Sequence, residues 1–534
     1  MAQEDLSICL PPLTQDDQFY TEKKRLSDSR GLRYEFMLPV SISSDEIVEV
    51  FNQMIQTARL IHMDEIELYF VEDEEFGPFS PRNEIGSLNL ILRKIDCLLR
   101  TASQQAIQVL QDLRSITLLK LNSVGTNSEA VDQMVIDESF NNMEEDNTLL
   151  TWAENNGVRS RLNIARFKGA GRGLIASDDL SVGDVALEIP ESLIISEDLI
   201  VGSDMYNAIK DLEIMTSDTM LTLWTMQERF KPDSKFKIYF GTLSDNFFTG
   251  LSFGIEALAA LEGTLLFEEL MQYKEHLRQQ YDMLFPMLFC DYPNIFKKEI
   301  YTWDRFLWAC ELFYSNSMKV VFSDGKLKTC LLPVAGLFNH SLCPHILHYG
   351  RVDPTTRSLK FPLSRPCERG QQCYLSYGSY SSSHLLTFYG FIPKGYNYYD
   401  FIPLDFDAAD GGSSANGDSS AKSQHMVRRT QLSKSNGSHT YSLPYKLIVH
   451  LRNALSCADL TDSASDGKET DREVLEAILS IFNPMLEELG PSDGPAWENS
   501  SWDVKLALEF KELQRIIISS VVASCNSGLE LLQL

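Results

Sequence analysis

The sequence predicts an α+β protein in which a β-rich core carries a helical insert, with a small α/β module before it and an all-α unit after it. Three observations predict this. Glycine-punctuated, β-branched runs flank a helical, aromatic-rich stretch between about Asp198 and Asn316; helical stripes fill the chain beyond residue 441; strand-like and helical patterns alternate before residue 135. At 534 residues the chain is too long for one ordinary core, so two or three domains are expected.

In chain order, residues 33–40 (RYEFMLPV) and Ile66 to Val71 have strand-like composition, and Ile47, Val50, Met54 and Ala58 form one helical stripe between them. Ile91, Ile95, Leu98, Leu99, Ala102, Ala106 and Leu110 mark a longer amphipathic helix. These elements make up the module of residues 1–135. Residues 136–147 are acidic and polar, as a solvated linker is. The main domain is expected over 148–406, opened by a helix that Asn147 caps and that ends near Asn156-Gly157. Residues 407–440, rich in Ser, Gly, Asn and Asp and without hydrophobic periodicity, are expected to form a disordered loop. Within 441–534, Leu447, Leu451 and Leu455 make one stripe, Thr470 with Glu473 a capping box ahead of a second helix, and Trp502, Leu506, Phe510, Leu513, Ile517 and Val521 a third.

The balance of 47 basic against 75 acidic residues gives a net charge of −28. Such a field repels phosphate backbones and favours basic partners, so nucleic acid is not expected as a direct ligand, although solubility alone also accounts for the charge. The ten cysteines are dispersed, with no CxxC, and read as free thiols of a reducing compartment, cytoplasmic or nuclear. The acidic N-terminal stretch has no secretory or transit character. The apolar run Ile516 to Ala523, broken by Ser519 and Ser520, is shorter than the roughly 20 residues a bilayer span requires, so no membrane segment is expected. Nothing in the sequence specifies an oligomeric state.

Three constellations carry candidate chemistry. The first is Gly169-Ala170-Gly171-Arg172-Gly173-Leu174, whose glycines allow a ligand close to the backbone; a β-turn without a ligand has the same sequence. It is followed by strand-favouring residues, which excludes a dinucleotide fingerprint opening a helix. The second is Asn339-His340-Ser341. His340, Cys343, His345 and His348 include zinc-ligand types, but their crowded spacing through Pro344 leads us to assign no metal. The third is Tyr374-Leu375-Ser376-Tyr377-Gly378 with Tyr389-Gly390-Phe391; aromatic pairs of this kind also occur as plain core.

In this order the three constellations resemble the SET domain, and the helical insert with an all-α C-terminal unit resembles the subgroup of the Rubisco large-subunit lysine methyltransferase. The likeness covers about residues 147–534 and includes Glu188-Ile189-Pro190 and Lys237-Ile238-Tyr239. It implies a SET core, a substrate-docking C-terminal domain, S-adenosylmethionine as cofactor, and a protein substrate methylated on lysine or, as in one branch, histidine. It further implies that Gly171, Arg172, Gly173 and Leu174 contact the cofactor through their backbone, that Asn339 and His340 hold its amino-acid end and adenine, and that Phe391 packs on the adenine. Tyr377 and Tyr389 then line the acceptor channel as the catalytic residues. Methyl transfer from a sulfonium is an in-line displacement, so alignment, a neutral nucleophile and shelter from water matter more than an acid or a metal.

Three positions depart from the family's pattern. Ala170 stands where a glutamate is frequent, Asn316 where an arginine meets the cofactor carboxylate, and Gly336 where an aspartate precedes the Asn-His pair. Arg172 is a candidate substitute for the missing arginine. These losses keep a second reading open, a SET-fold protein-binding module with weak or no turnover.

Overall fold

The computed structural model describes residues 6–39, 42–72, 77–132, 136, 143–406, 423–430, 441–458, 467–491 and 499–533. The N-terminal module comprises β1 (Leu6–Cys9), α1 (Tyr20–Arg30), β2 (Glu35–Leu38), α2 (Ser44–His62), α3 (Glu65–Phe70), α4 (Pro81–Leu99) and α5 (Gln104–Asp132). β1 and β2 pair antiparallel, Leu6 opposite Leu38. Ile8 and Phe36 of this hairpin pack with Ile47, Met54 and Ala58 of α2, Ile85 and Ile95 of α4, and Leu110 of α5 in one core.

Two expectations for this module are corrected. Residues 66–71 are helical: Asp64 accepts from the backbone N–H of Glu67 while the Glu67 carboxylate accepts from the N–H of Asp64, a capping box that outweighs β-favouring composition. The contiguous burial of Glu67, Leu68, Tyr69 and Phe70 reflects neighbours on several sides. The single helix expected from Ile91 to Leu110 is two, broken at residues 100–103, where the Ser103 carbonyl accepts from the N–H groups of Ala106 and Ile107 to start α5.

The central domain opens with α6 (Met143–Asn155), β3 (Arg159–Ser160), β4 (Leu162–Phe167), β5 (Gly171–Ala176) and β6 (Val185–Pro190). α6 starts four residues ahead of the Asn147 cap expected from sequence, so residues 143–147 of the supposed linker are helical, and Glu144, Glu145 and Asp146 occupy the first turn, where the helix dipole favours anions. The insert follows as α7 (Asp204–Ile209), α8 (Ser217–Glu228), α9 (Lys237–Thr242), α10 (Ile255–Ala260), α11 (Leu265–Asp291) and α12 (Trp303–Asn316). The chain returns to β structure with β7 (Ser317–Val321), β8 (Leu327–Leu331), β9 (Val352–Asp353) and β10 (Ser358–Pro362), then α13 (Ser382–Tyr389). The strands are short and antiparallel: a sheet of order β3-β6-β10-β9 and the hairpins β4-β5 and β7-β8.

β11 (Phe401–Phe406), β12 (Ser423–Arg428), α14 (Tyr445–Ala458), α15 (Gly467–Glu488) and α16 (Trp502–Gln533) complete the fold. The C-terminal unit is not purely helical. Ile402, Leu404 and Val427 of the β11-β12 hairpin share a core with Leu447, Ile478 and Ile518, so residues 423–428, expected inside a disordered loop, form a strand stabilised by tertiary packing. The remainder of that loop, 407–422 and 431–440, lies outside the described residues, as do 137–142 of the supposed linker. α15 begins at Gly467, so Thr470 lies inside it rather than at its cap. α16, at 32 residues, is long and apolar enough to cross a membrane; it places Ala507 and Phe510 in the central core and Ile517, Ile518, Val521 and Cys525 in the C-terminal one.

Candidate active site

The β4-β5 turn is built by glycine. Gly169 and Gly171 have φ of +79° and +69°, which only glycine adopts freely. Gly173 serves a different end: a Cβ there would lie 2.8 Å from Asn339 Nδ2 and closer still to Gln372 Nε2, so the absent side chain lets both amides reach the strand. Asn339 Nδ2 donates to the Arg172 carbonyl at 3.1 Å. Gln372, buried beside this cradle, has both amide atoms without a hydrogen-bond partner among the described residues. Arg172 points elsewhere, its guanidinium 3.6 Å from the Asp146 carboxylate of α6, with Arg166 3.5 Å from the same group.

A tight 3-10 turn, Ala335–Leu337, delivers Phe338, Asn339 and His340 to the segment 374–377. Leu375 N–H donates to the Asn339 carbonyl at 2.9 Å, and Tyr377 N–H donates to His340 Nδ1 at 3.2 Å. That bond requires a lone pair on Nδ1, and burial pushes the imidazole pKa down to about 4, so His340 is neutral at physiological pH. The Tyr377 hydroxyl donates to the Phe338 carbonyl at 2.6 Å. Tyr389 ends α13, and Gly390 caps it with φ +76°; a Cβ there would collide with the Phe248 carbonyl. The Tyr377 and Tyr389 rings stack at 4.8 Å, and His340 lies 5.2 Å from Tyr377 and 6.2 Å from Phe391. Burial, reinforced by neighbouring tyrosines, holds both phenols well above their ordinary pKa and hence protonated.

A cavity of about 340 Å³ adjoins this cluster, with Asn316, Gly336, Phe338, Tyr377, Tyr380 and Tyr389 in its wall. The glycine turn, Asn339, His340 and Phe391 are not part of that wall. Tyr377 links the cavity wall to His340, whose neighbour Asn339 reaches the Gly171–Leu174 cradle. All nine site residues expected from sequence therefore lie in one region.

The architecture matches that of the SET domain of LSMT bound to lysine and AdoHcy, with a TM-score of 0.55 and 20% identity, covering 74% of this chain and 94% of that one. Rubisco LSMT bound to AdoMet gives 0.52 at 18% identity, over 73% and 93%. This chain has the SET fold. No family model matches it. In sequence it is 26% identical over 259 residues to the chloroplastic fructose-bisphosphate aldolase-lysine N-methyltransferase of Arabidopsis thaliana, covering 46% of this chain and 52% of that protein. It is 27% identical over 276 residues to the chloroplastic Rubisco large-subunit N-methyltransferase of Pisum sativum, over 49% and 55%. The actin-histidine N-methyltransferase of Gallus gallus is 24% identical over 252 residues, covering 46% and 42%. The chain spans about half the length of the curated relatives it matches.

Within the SET fold, two of the three departures are neighbours. A Cβ on Gly336 would lie 3.0 Å from Asn316 Oδ1, so Asn316 occupies the space that a side chain at 336 would need. The zinc-type residues do not converge: His348 faces His62 at 6.5 Å, Cys343 Sγ donates to the Val124 carbonyl, and His340 joins Tyr377. His345, Cys367 and Cys373 do come together, their ligand atoms within 4.8 Å. Yet His345 Nδ1 accepts from the Tyr374 N–H, which leaves its proton on Nε2, and burial holds the Cys373 thiol protonated. His345 Nε2 has no hydrogen-bond partner among the described residues. Sequence reasoning missed Arg82, Gln372 and Tyr380; Arg82 comes from a module to which no motif pointed.

Proposed function

We propose that this protein is an S-adenosylmethionine-dependent protein methyltransferase that modifies a lysine, with histidine second, of a non-histone protein. The observation that carries the reading is the stacked Tyr377–Tyr389 pair, which lines the cavity while Tyr377 also meets His340, next to the Asn339 that reaches the Arg172 carbonyl. The names of the relatives, which act on aldolase, Rubisco and actin, support it.

The residues around the cradle fit the cofactor: the Asn339 amide, the unpartnered Gln372 amide and a neutral His340 beside Phe391 offer neutral hydrogen-bonding and stacking groups to its amino-acid end and adenine. When bound, S-adenosylmethionine supplies the methyl group as an electrophilic sulfonium. Tyr377 commits its hydroxyl proton to the Phe338 carbonyl, so its oxygen remains an acceptor that orients an amine N–H and leaves the lone pair to attack. Neither phenol serves as base, because both are held protonated. The lysine proton, with a solution pKa of about 10.4, departs through the cavity before transfer. The free cysteines, nine among the described residues, support a reducing compartment, cytosol or nucleus.

A second reading, a SET-fold binding module with weak or no turnover, is favoured by the absence of charge at Ala170, Asn316 and Gly336. Calorimetric titration with S-adenosylhomocysteine, followed by transfer of label from S-adenosylmethionine to a protein extract, separates the two. Micromolar binding lost in Asn339→Ala, with label on a protein side chain, is the expected result. Binding without transfer favours the module, and no binding sinks the methyltransferase.

A further inference from the structure

Arg172 does not stand in for the arginine absent at 316: it is paired with Asp146 and does not line the cavity. The guanidinium that shares a wall with Asn316 and Gly336 is Arg82 of the N-terminal module. Arg82 is the second residue of α4, where the helix dipole opposes a cation, so side chain and helix terminus add positive potential on the same side. Its Nη1 donates to Ser379 Oγ, and that hydroxyl donates to Asp64 Oδ2 at 3.0 Å. Arg82 is therefore held by a neutral group, and no carboxylate among the described residues lies within ion-pair distance of it. The other cation in the wall, Lys319, is exposed and 3.8 Å from Asp218. Among the described residues no Asp or Glu lines the cavity, although the chain carries a net charge of −28.

We propose that Arg82 is a carboxylate-binding residue of this cavity, supplied in cis by the N-terminal module. A guanidinium without a counter-ion, facing a partly enclosed space, offers a planar fork that a carboxylate fits bidentately. The proposal rests on the methyltransferase reading, and the carboxylate that this reaction brings to the site is the α-carboxylate of the cofactor's amino-acid end, the group the resemblance places opposite position 316.

The test compares wild type, Arg82→Gln and Arg82→Lys by calorimetry, with thermal unfolding as a check that all three are folded. The probes are S-adenosylhomocysteine and 5′-methylthioadenosine, which lacks the amino-acid end and with it the carboxylate. A loss of about tenfold to a hundredfold in Arg82→Gln for S-adenosylhomocysteine only, partly restored in Arg82→Lys, supports the proposal. Equal losses for both probes, or unchanged affinities for both, with wild type binding S-adenosylhomocysteine, overturn the proposal and leave the methyltransferase reading standing. Failure of wild type to bind S-adenosylhomocysteine removes that reading itself.

Discussion

Tyr377 makes one bond that decides its role, the 2.6 Å donation to Phe338 O. Replacing it by Phe removes a hydrogen bond worth about 1 kcal/mol of stability but also the oxygen that orients the acceptor amine. We expect Tyr377→Phe to lose methyl transfer by about a hundredfold while its urea-unfolding midpoint moves little; an equal fall in both would make the residue merely structural. His340 yields a pH prediction. Its folded pKa of about 4 lies below the ordinary 6.5, so between these values the unfolded chain binds a proton that the native state refuses, and stability is lost as pH falls. Wild type should lose about 1.4 kcal/mol per pH unit relative to His340→Gln across that window, read as the difference between their unfolding free energies at pH 7.5, 6 and 5. A constant difference would mean that His340 titrates normally. Asn339, His340, Tyr377, Tyr389 and Phe391 were legible because their types and spacing form a motif. Gln372 and Arg82 were not, because their place depends on a strand register and on a contact between residues 297 apart in sequence.

At the level of elements, local rules read well where packing agrees with them. The insert ends at Asn316, where the aromatic-rich helical pattern stops, and β7 starts at the next residue. They failed for α3, whose composition favours strand but whose Asp64–Glu67 box starts a helix, and for β12, whose sequence is polar but whose partner strand and core supply the order. α13 shows how one element sets the site. Ser381 caps its start by accepting from the His384 N–H, and Gly390 turns the chain so that Tyr389 and Phe391 reach the His340 cluster. Gly390→Ala combines a positive φ with a collision against Phe248 O, and we expect it to cost about 1–3 kcal/mol or more and to weaken S-adenosylhomocysteine binding. Calorimetric unfolding and titration of the same sample check both; unchanged binding in a destabilised protein would detach the cap from the site.

On the scale of the whole molecule, the N-terminal module, which the resemblance left without a role, joins the other two units. Cys343 and Leu347 of the central domain are buried in the module's own core, and Asn89 Nδ2 donates to the Ser364 carbonyl at 2.7 Å. α3 faces the C-terminal unit: the Tyr69 hydroxyl meets His425 Nδ1 at 3.0 Å, Lys446 Nζ donates to the Leu68 carbonyl at 3.1 Å, and the Arg428 guanidinium lies 4.1 Å from the Phe70 ring. None of these partners is adjacent in sequence, which is why composition assigned the module no function. If it is part of the folded unit rather than an appendage, a fragment spanning residues 143–534 must expose Leu347, whose burial alone contributes about 1.5–3 kcal/mol. We therefore expect that fragment to unfold several degrees below the full chain and to exchange the amide hydrogens of 343–348 faster. The β11-β12 hairpin should lose protection with it, because Tyr69 and Phe70 no longer cover His425 and Arg428. An unchanged unfolding temperature and unchanged exchange at both places would show that the central and C-terminal units stand without the module, and that its contact with the cavity is dispensable to the fold.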